Sequence, residues 1–311
     1  MQSNSHINSI KTHFGQKQLE LLNDDDVTEL MLNSDGNLWV ERFGLPMQIE
    51  SSMTPTQAML LMKALAGFHS VSLTAEQPLL ECEFPVDGSR FEGVIPPVVL
   101  APTFALRKKA IRVFSLDDYM QTGMLSKAQC AVLRQAITER KNILIVGGTG
   151  SGKTTFANAL INEMVCLCHN DRIVIIEDTN EIQCAAQNSV ILRSNATTSM
   201  ANLLRATLRL RPDRILVGEV RGGEALSLLK AWNTGHSGGI ATIHANSARL
   251  GLIRLGDCIA EVSQHINHTL ISQTVNLVVF IEKSSTGRSI KEIIQVHDFV
   301  DGQYVTSTIE S

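Results

Sequence analysis

The stretch Gly147-Gly148-Thr149-Gly150-Ser151-Gly152-Lys153-Thr154-Thr155 limits what this chain can fold into more than any other. It carries the spacing Gly, four residues, Gly-Lys-Thr, and its glycines open backbone conformations that side chains forbid. Such a loop can curl until successive N–H groups converge on phosphate oxygens. Upstream, Asn142-Ile143-Leu144-Ile145-Val146 is an apolar, β-branched run of strand type, and downstream Thr155-Phe156-Ala157-Asn158-Ala159-Leu160-Ile161 has helical composition. Strand, glycine loop and helix is the order that phosphate binding requires, because the helix N-terminus adds positive potential. Gly148, Thr149, Gly150, Ser151, Gly152, Lys153, Thr154 and Thr155 are therefore the candidate nucleotide-binding residues. Lys153 can place a charge at the β- and γ-phosphates, and the Thr154 hydroxyl can ligate Mg²⁺.

The 311 residues leave room for about two domains. Apolar residues make up 44% of the chain, enough for real cores. A net charge of −4 and 5% aromatic residues argue against direct nucleic-acid binding, which calls for a basic face or a stacking platform. The six cysteines form no Cys-x-x-Cys sets, so no zinc site is expected, and they read as reduced, mostly buried small hydrophobes. The polar N-terminus and the lack of a long apolar run read as a soluble, intracellular protein with no integral membrane segment.

Residues 1–114 read as a small α+β domain. Glu29–Asn33 and Asn37–Glu41 flank the turn Ser34-Asp35-Gly36, Thr54–Phe68 has helical spacing, and strand-like pieces follow at Leu79–Phe84, Arg90–Ile95 and Thr103–Arg107. The polar stretch 115–125 reads as a loop-like connection. From 126 to 311 strands alternate with helices, which predicts an α/β domain with a mainly parallel sheet and helices on both faces. The last segments, Val275–Ile281, Ile290–His297 and Gln303–Thr306, read as antiparallel additions.

Three further segments fall where a nucleotide pocket belongs. The run Ile173–Ile176 ends in Glu177 and Asp178, with Glu181 beyond; acids here can hold Mg²⁺ or polarise an attacking water, or be a solvated strand end. The run Ile215-Leu216-Val217-Gly218 ends in Glu219, followed by Arg221. Many phosphate-loop ATPases carry Asp where Gly218 stands, so Glu219 becomes the candidate base for water, and the metal leans on Thr154, Glu177 and Asp178. A glycine-rich turn containing His236 leads into a short strand ending at His244, a residue that could sense a γ-phosphate or be merely structural.

Together these segments resemble the secretion ATPases, the RecA-like traffic ATPases of type II secretion, type IV secretion and type IV pili. The phosphate loop, Ile-Glu-Asp-Thr-x-Glu, Arg-Pro-Asp-Arg-Ile-x-x-Gly-Glu-x-Arg and Gly-His-x-Gly-x-x-x-Thr-x-His occur in the order of that family. Gly88–Pro97 and Phe104–Lys108 are similar to strands of its conjugation branch, and the likeness to the TrbB-type conjugal-transfer ATPases runs over nearly the whole chain. The family lacks an acid at the Gly218 position, which removes the objection above.

The resemblance implies a RecA-like ATPase domain preceded by the smaller α+β domain, with ATP and Mg²⁺ as ligands. It implies a homohexamer, cytoplasmic or peripheral on the inner face of the cytoplasmic membrane, working with inner-membrane secretion-channel components. Because the motifs offer no local arginine finger, Arg90 and Arg107 of the first domain are the candidates to approach the phosphates, with Arg221 after them. The rival readings are a pilus-retraction or type II secretion motor, a RecA-like nucleic-acid motor, and a phosphate-loop scaffold without activity.

Overall fold

The computed structural model describes residues 2–42, 45–109, 113–195, 197–284 and 287–310. The chain divides into two compact units, Met1–Ile111 and Arg112–Ser311. The first contains α1 (Gln2–Phe14), α2 (Gln16–Asn23), β1 (Val27–Leu32), β2 (Asn37–Arg42), β3 (Gln48–Ser52), α3 (Pro55–Phe68), β4 (Leu79–Glu83), β5 (Arg90–Val94) and β6 (Thr103–Arg107). Its strands form one antiparallel sheet in the order β3-β2-β1-β6-β5-β4. The turn expected at Ser34-Asp35-Gly36 joins β1 to β2, with Gly36 in the left-handed region that glycine favours. Helix α3 starts where Thr54 accepts a hydrogen bond from the Gln57 amide and Pro55 fills the first turn. Its Leu61, Met62 and Leu65 bury against the inner face of the sheet, with Leu30, Phe91 and Leu106.

The second unit contains α4 (Leu116–Gln121), α5 (Lys127–Thr138), β7 (Ile143–Gly147), α6 (Lys153–Leu167), β8 (Ile173–Glu177), β9 (Ser189–Arg193), α7 (Met200–Thr207), β10 (Arg214–Val220), α8 (Glu224–Asn233), β11 (Ile240–Ile243), α9 (Ala248–Ala260), α10 (His268–Thr274), β12 (Leu277–Ser284), β13 (Gly287–Val300) and β14 (Gln303–Thr308). Its sheet runs β14-β13-β12-β7-β11-β10-β8-β9. Strands β7 to β12 pair in parallel, and β13 and β14 add on antiparallel. Strands β7 and β8 are buried along their whole length, as a sheet covered on both faces requires. One face packs Leu144, Val146 and Val217 against α8 to α10; the other packs Ile145, Ile175 and Val279 against α4 to α6.

The segment 115–125, expected to be a loop-like connection, instead holds α4. Ser115 and Asp118 close a capping box at its start. Leu116, Tyr119 and Leu125 are buried in the core of the second unit, and the Tyr119 ring meets Phe156 of α6 edge-on at 5.1 Å. Polar residues on one side of a short amphipathic helix gave the stretch its loop-like composition. The cysteines also depart from expectation: all are free thiols, yet only Cys130 and Cys258 are buried, and Cys166 is exposed.

Candidate active site

The C-terminal ends of β7, β8, β10 and β11 carry the four motifs to one edge of the parallel sheet. The glycine loop leaves β7 at Gly147, where a Cβ would lie 2.4 Å from the Ile281 carbonyl oxygen on β12. Glycine is therefore required at that exit. Gly152 caps α6 with φ +96°, a left-handed turn that glycine favours, at a helix start whose first amides have no partner within the helix. Ser151 is 2% exposed, and its Oγ has no hydrogen-bond partner. Thr149 stands exposed at the rim, and Thr154 and Thr155 are half-buried in the first turn of α6.

Lys153 is 7% exposed. Its Nζ donates to the Gly148 carbonyl oxygen at 3.0 Å and lies 3.2 Å from His244 Nδ1. From His244 a line of charged groups continues across the sheet. His244 Nε2 is 2.8 Å from Glu219 Oε1, Glu219 Oε2 accepts from Arg221 Nη2 at 3.0 Å, and Arg221 Nη1 pairs with Asp178 Oδ2 at 2.5 Å. Lys153, His244, Glu219, Arg221 and Asp178, singled out from four separate segments, thus form one connected row.

A register shift in β10 aims Glu219 into this row. Val217 faces Ala241 and Val220 faces Ile243, so β10 carries one extra residue against β11. The Thr242 hydroxyl donates to the Gly218 carbonyl oxygen at 2.7 Å and holds the irregularity. A Cβ at 218 would lie 3.1 Å from Glu177 Cβ, so an Asp there would crowd a buried carboxylate. Burial works against the charge on Glu219, but Arg221, His244 and Lys153 outweigh it and hold the carboxyl below its usual range. Burial and the neighbouring Lys153 push the His244 imidazole below its usual value, with Glu219 opposing them.

Glu177 differs from its neighbours. It is 1% exposed, and its Oε2 accepts the amides of Glu181 at 3.0 Å and Ile182 at 2.9 Å. Arg193 Nε stands 3.5 Å from its Oε1. Burial raises the carboxyl above its usual range, against the pull of those amides and Arg193. Glu177 Oε2 is taken up by two amides that fix the 178–182 loop, while its buried Oε1 has no hydrogen-bond partner. Among the described residues no group of three or more His, Cys, Asp or Glu side chains could hold a metal ion. A Mg²⁺ here would rest on Thr154 and on the phosphates themselves, with the half-buried Asp178 as the nearby acid.

Arg90 and Arg107 belong to the first unit, where they face each other across β5 and β6, and Arg90 pairs with Glu81 at 3.3 Å. Two arginines of the second unit stand at the row and the loop, Arg221, already described, and Arg288. Arg288, at the start of β13, donates from Nε to the Gly150 carbonyl oxygen at 3.0 Å. The sequence offered no signal for it, because its reach follows from the pairing of β12 with β7. Two further side chains of these motifs have structural roles. His236 Nδ1 lies 3.0 Å from the Pro212 carbonyl oxygen. Arg214, fully buried at the opposite end of β10 from Glu219, ion-pairs with Asp171 at 2.6 Å.

A glycine loop at the end of a central parallel strand, with an acid and a histidine on neighbouring strand ends, defines a phosphate-loop nucleotide hydrolase. The sequence profile of the family described as "Type II/IV secretion system protein" matches residues 14–292. The chain is 48% identical over 298 residues to the "Probable conjugal transfer protein TrbB" of Sinorhizobium fredii, covering 96% of this chain and 92% of that one. Against the "Conjugal transfer protein TrbB" of Rhizobium radiobacter it is 46% identical over 300 residues, with 96% and 93% covered. Among solved structures, the VirB11 ATPase of Brucella suis in complex with sulphate aligns over 94% of this chain and 96% of its own, at 27% identity and a TM-score of 0.50. The chain belongs to the type II/IV secretion system family, the secretion ATPases, and within it to the TrbB-type conjugal-transfer branch. No helix among the described residues is long and apolar enough to cross a membrane.

Proposed function

We propose that this chain is the Mg²⁺-dependent ATP-hydrolysing motor of a conjugative type IV secretion system, powering substrate transfer or pilus assembly as a homohexameric ring. It works in the cytoplasm, docked on inner-membrane channel components. The row Lys153–His244–Glu219–Arg221–Asp178 carries this reading, because it joins the phosphate loop to a carboxylate held ionised.

In this reading the loop amides, the Ser151 hydroxyl and Lys153 receive the phosphates. The buried Ser151 Oγ without a partner fits such a ligand. Lys153 leaves the Gly148 carbonyl and the His244 ring for the β- and γ-phosphate oxygens. Thr154, helped by Asp178, would hold Mg²⁺, which neutralises charge on the phosphates. Glu219 accepts a proton from the attacking water or orients it, and His244, bonded to Glu219, reports γ-phosphate loss to β11. Glu177 positions the 178–182 loop. Arg90 and Arg107 act on the developing charge of the γ-phosphate.

Phosphate release from Mg-ATP by the purified full chain tests the reading. The wild type should turn over, and Lys153→Ala should lose nucleotide binding and turnover while its far-UV circular dichroism stays unchanged. A folded wild type that neither binds Mg-ATP nor releases phosphate, even with its membrane complex supplied, refutes it.

A further inference from the structure

Past its first turn, the buried positions of α6 are apolar (Phe156, Ala157, Ala159, Leu160, Ile161 and Met164) except for Asn158, which is 2% exposed. Asparagine is a mediocre helix former, and a buried carboxamide is costly unless its hydrogen bonds are met. Here the acidic loop meets them. Asn158 Nδ2 donates to the Glu181 carbonyl oxygen at 3.1 Å, and its Oδ1 accepts the Gln183 amide at 2.9 Å. From the other side, Glu177 Oε2 accepts the amides of Glu181 and Ile182. Four hydrogen bonds thus close on three consecutive residues, two from the end of β8 and two from α6. Asp178, which ends the charged row at Arg221, lies on this loop. Thr154 precedes Asn158 by four residues, so the two share one face of α6. The loop that carries Asp178 is therefore tied to the helix whose first turn carries Lys153 and Thr154, and not only to its own strand.

We propose that Asn158 is a positioning residue of the nucleotide site: its carboxamide clamps the 178–183 loop to α6 and so fixes Asp178 relative to Thr154 before Mg-nucleotide arrives. The assignment deepens the proposed function and rests on it. An apolar side chain at 158 would suit the surrounding core but would take this partner from the Glu181 carbonyl and the Gln183 amide. What the clamp supplies is preorganisation, because a loop already held in place need not be ordered when the ligand binds.

The test compares the full chain with Asn158→Ala and Asn158→Leu, the second filling the volume with a good helix former. Hydrogen exchange without nucleotide should quicken at the 181–183 amides by about tenfold or more, the scale of lost hydrogen bonds, while β7 and β8 keep wild-type protection. A fluorescent ADP analogue in EDTA should bind within about twofold of wild type, because Lys153 and the glycine-loop amides are untouched. The Mg²⁺ concentration that half-saturates the tightening of that analogue should rise several-fold, and kcat should fall about tenfold, as a misplaced group predicts. Unchanged exchange at 181–183 in both variants would overturn the proposal. Faster exchange spread evenly over the second unit would also overturn it, leaving Asn158 a core residue only. A loosened loop with wild-type Mg²⁺ dependence and kcat would sink this assignment alone, whereas a wild type that bound no nucleotide would sink the proposed function and this assignment with it.

Discussion

At the scale of single residues, the pairing of Glu219 with His244 makes the catalytic reading specific. Burial acts against the charge on this carboxylate, but Arg221, His244 and Lys153 outweigh it and hold Glu219 below its usual range. For stability, its depressed pKa means a contribution present above the unfolded carboxyl value and lost as pH falls through the folded one. The acid side of the pH–rate profile should then follow His244, whose imidazole is held below its usual value by burial and Lys153. In Glu219→Gln the anion that opposes burial and Lys153 is gone, so the His244 midpoint, followed by NMR of the ring protons, should fall further. Turnover should drop by about 10²–10⁴ while nucleotide binding persists, the range for a lost acid–base group. A His244 midpoint that rises, or turnover that survives, would remove Glu219 from this role. Every member of this row sits on a motif visible in the sequence: Lys153 in the glycine loop, and Asp178, Glu219, Arg221 and His244 at or just past the ends of apolar strands. The hydrogen bonding of Glu177 is not visible there, because its partners are backbone amides, and any sequence at 181 and 182 other than Pro supplies those.

At the scale of elements, legibility followed how strongly burial marks the sequence. The fully buried β7 and β8 and the capped helix α3 are plain as patterns. Strand β3 is polar and mostly exposed, and α1 buries only Ile10 and Phe14 of its described side chains, so neither announces itself. Helix α4 misled because its capping box reads as a polar loop. The arginines around β10 look alike in sequence, yet Arg221 is exposed at the site and Arg214 is sealed at the other end of the strand. Arg214 binds Asp171, the Gly238 carbonyl oxygen at 3.1 Å and the Ile137 carbonyl oxygen at 2.9 Å, and so ties β10 to the end of α5 and the turn before β11. Removing Arg214 leaves two bare buried carbonyls and an Asp171 carboxylate held by Arg140 alone. Arg214→Ala should therefore lower the free energy of urea unfolding by about 3–5 kcal/mol. Arg214→Lys should recover little, since an ammonium cannot reproduce the planar fork. A midpoint within experimental error of wild type would show that the strand does not depend on this anchor.

At the scale of the whole molecule, the unit that holds the phosphate loop carries Arg221 and Arg288, and the unit that carries Arg90 and Arg107 holds no nucleotide motif. If Arg90 and Arg107 serve hydrolysis, their effect belongs to the transition state, where charge on the γ-phosphoryl oxygens develops, and not to ground-state binding. Arg90→Ala and Arg107→Ala should then lower kcat with nucleotide affinity within a few-fold of wild type, by up to ~10³–10⁵ if either is the arginine finger. Light scattering on the same samples reads the assembly: a hexamer mass in wild type and in the arginine variants keeps the ring and assigns the loss to chemistry. A strict monomer with and without nucleotide would remove the ring, and loss of affinity in Arg90→Ala or Arg107→Ala to the same degree as kcat would make those residues binding groups, leaving the transition-state charge to Arg221.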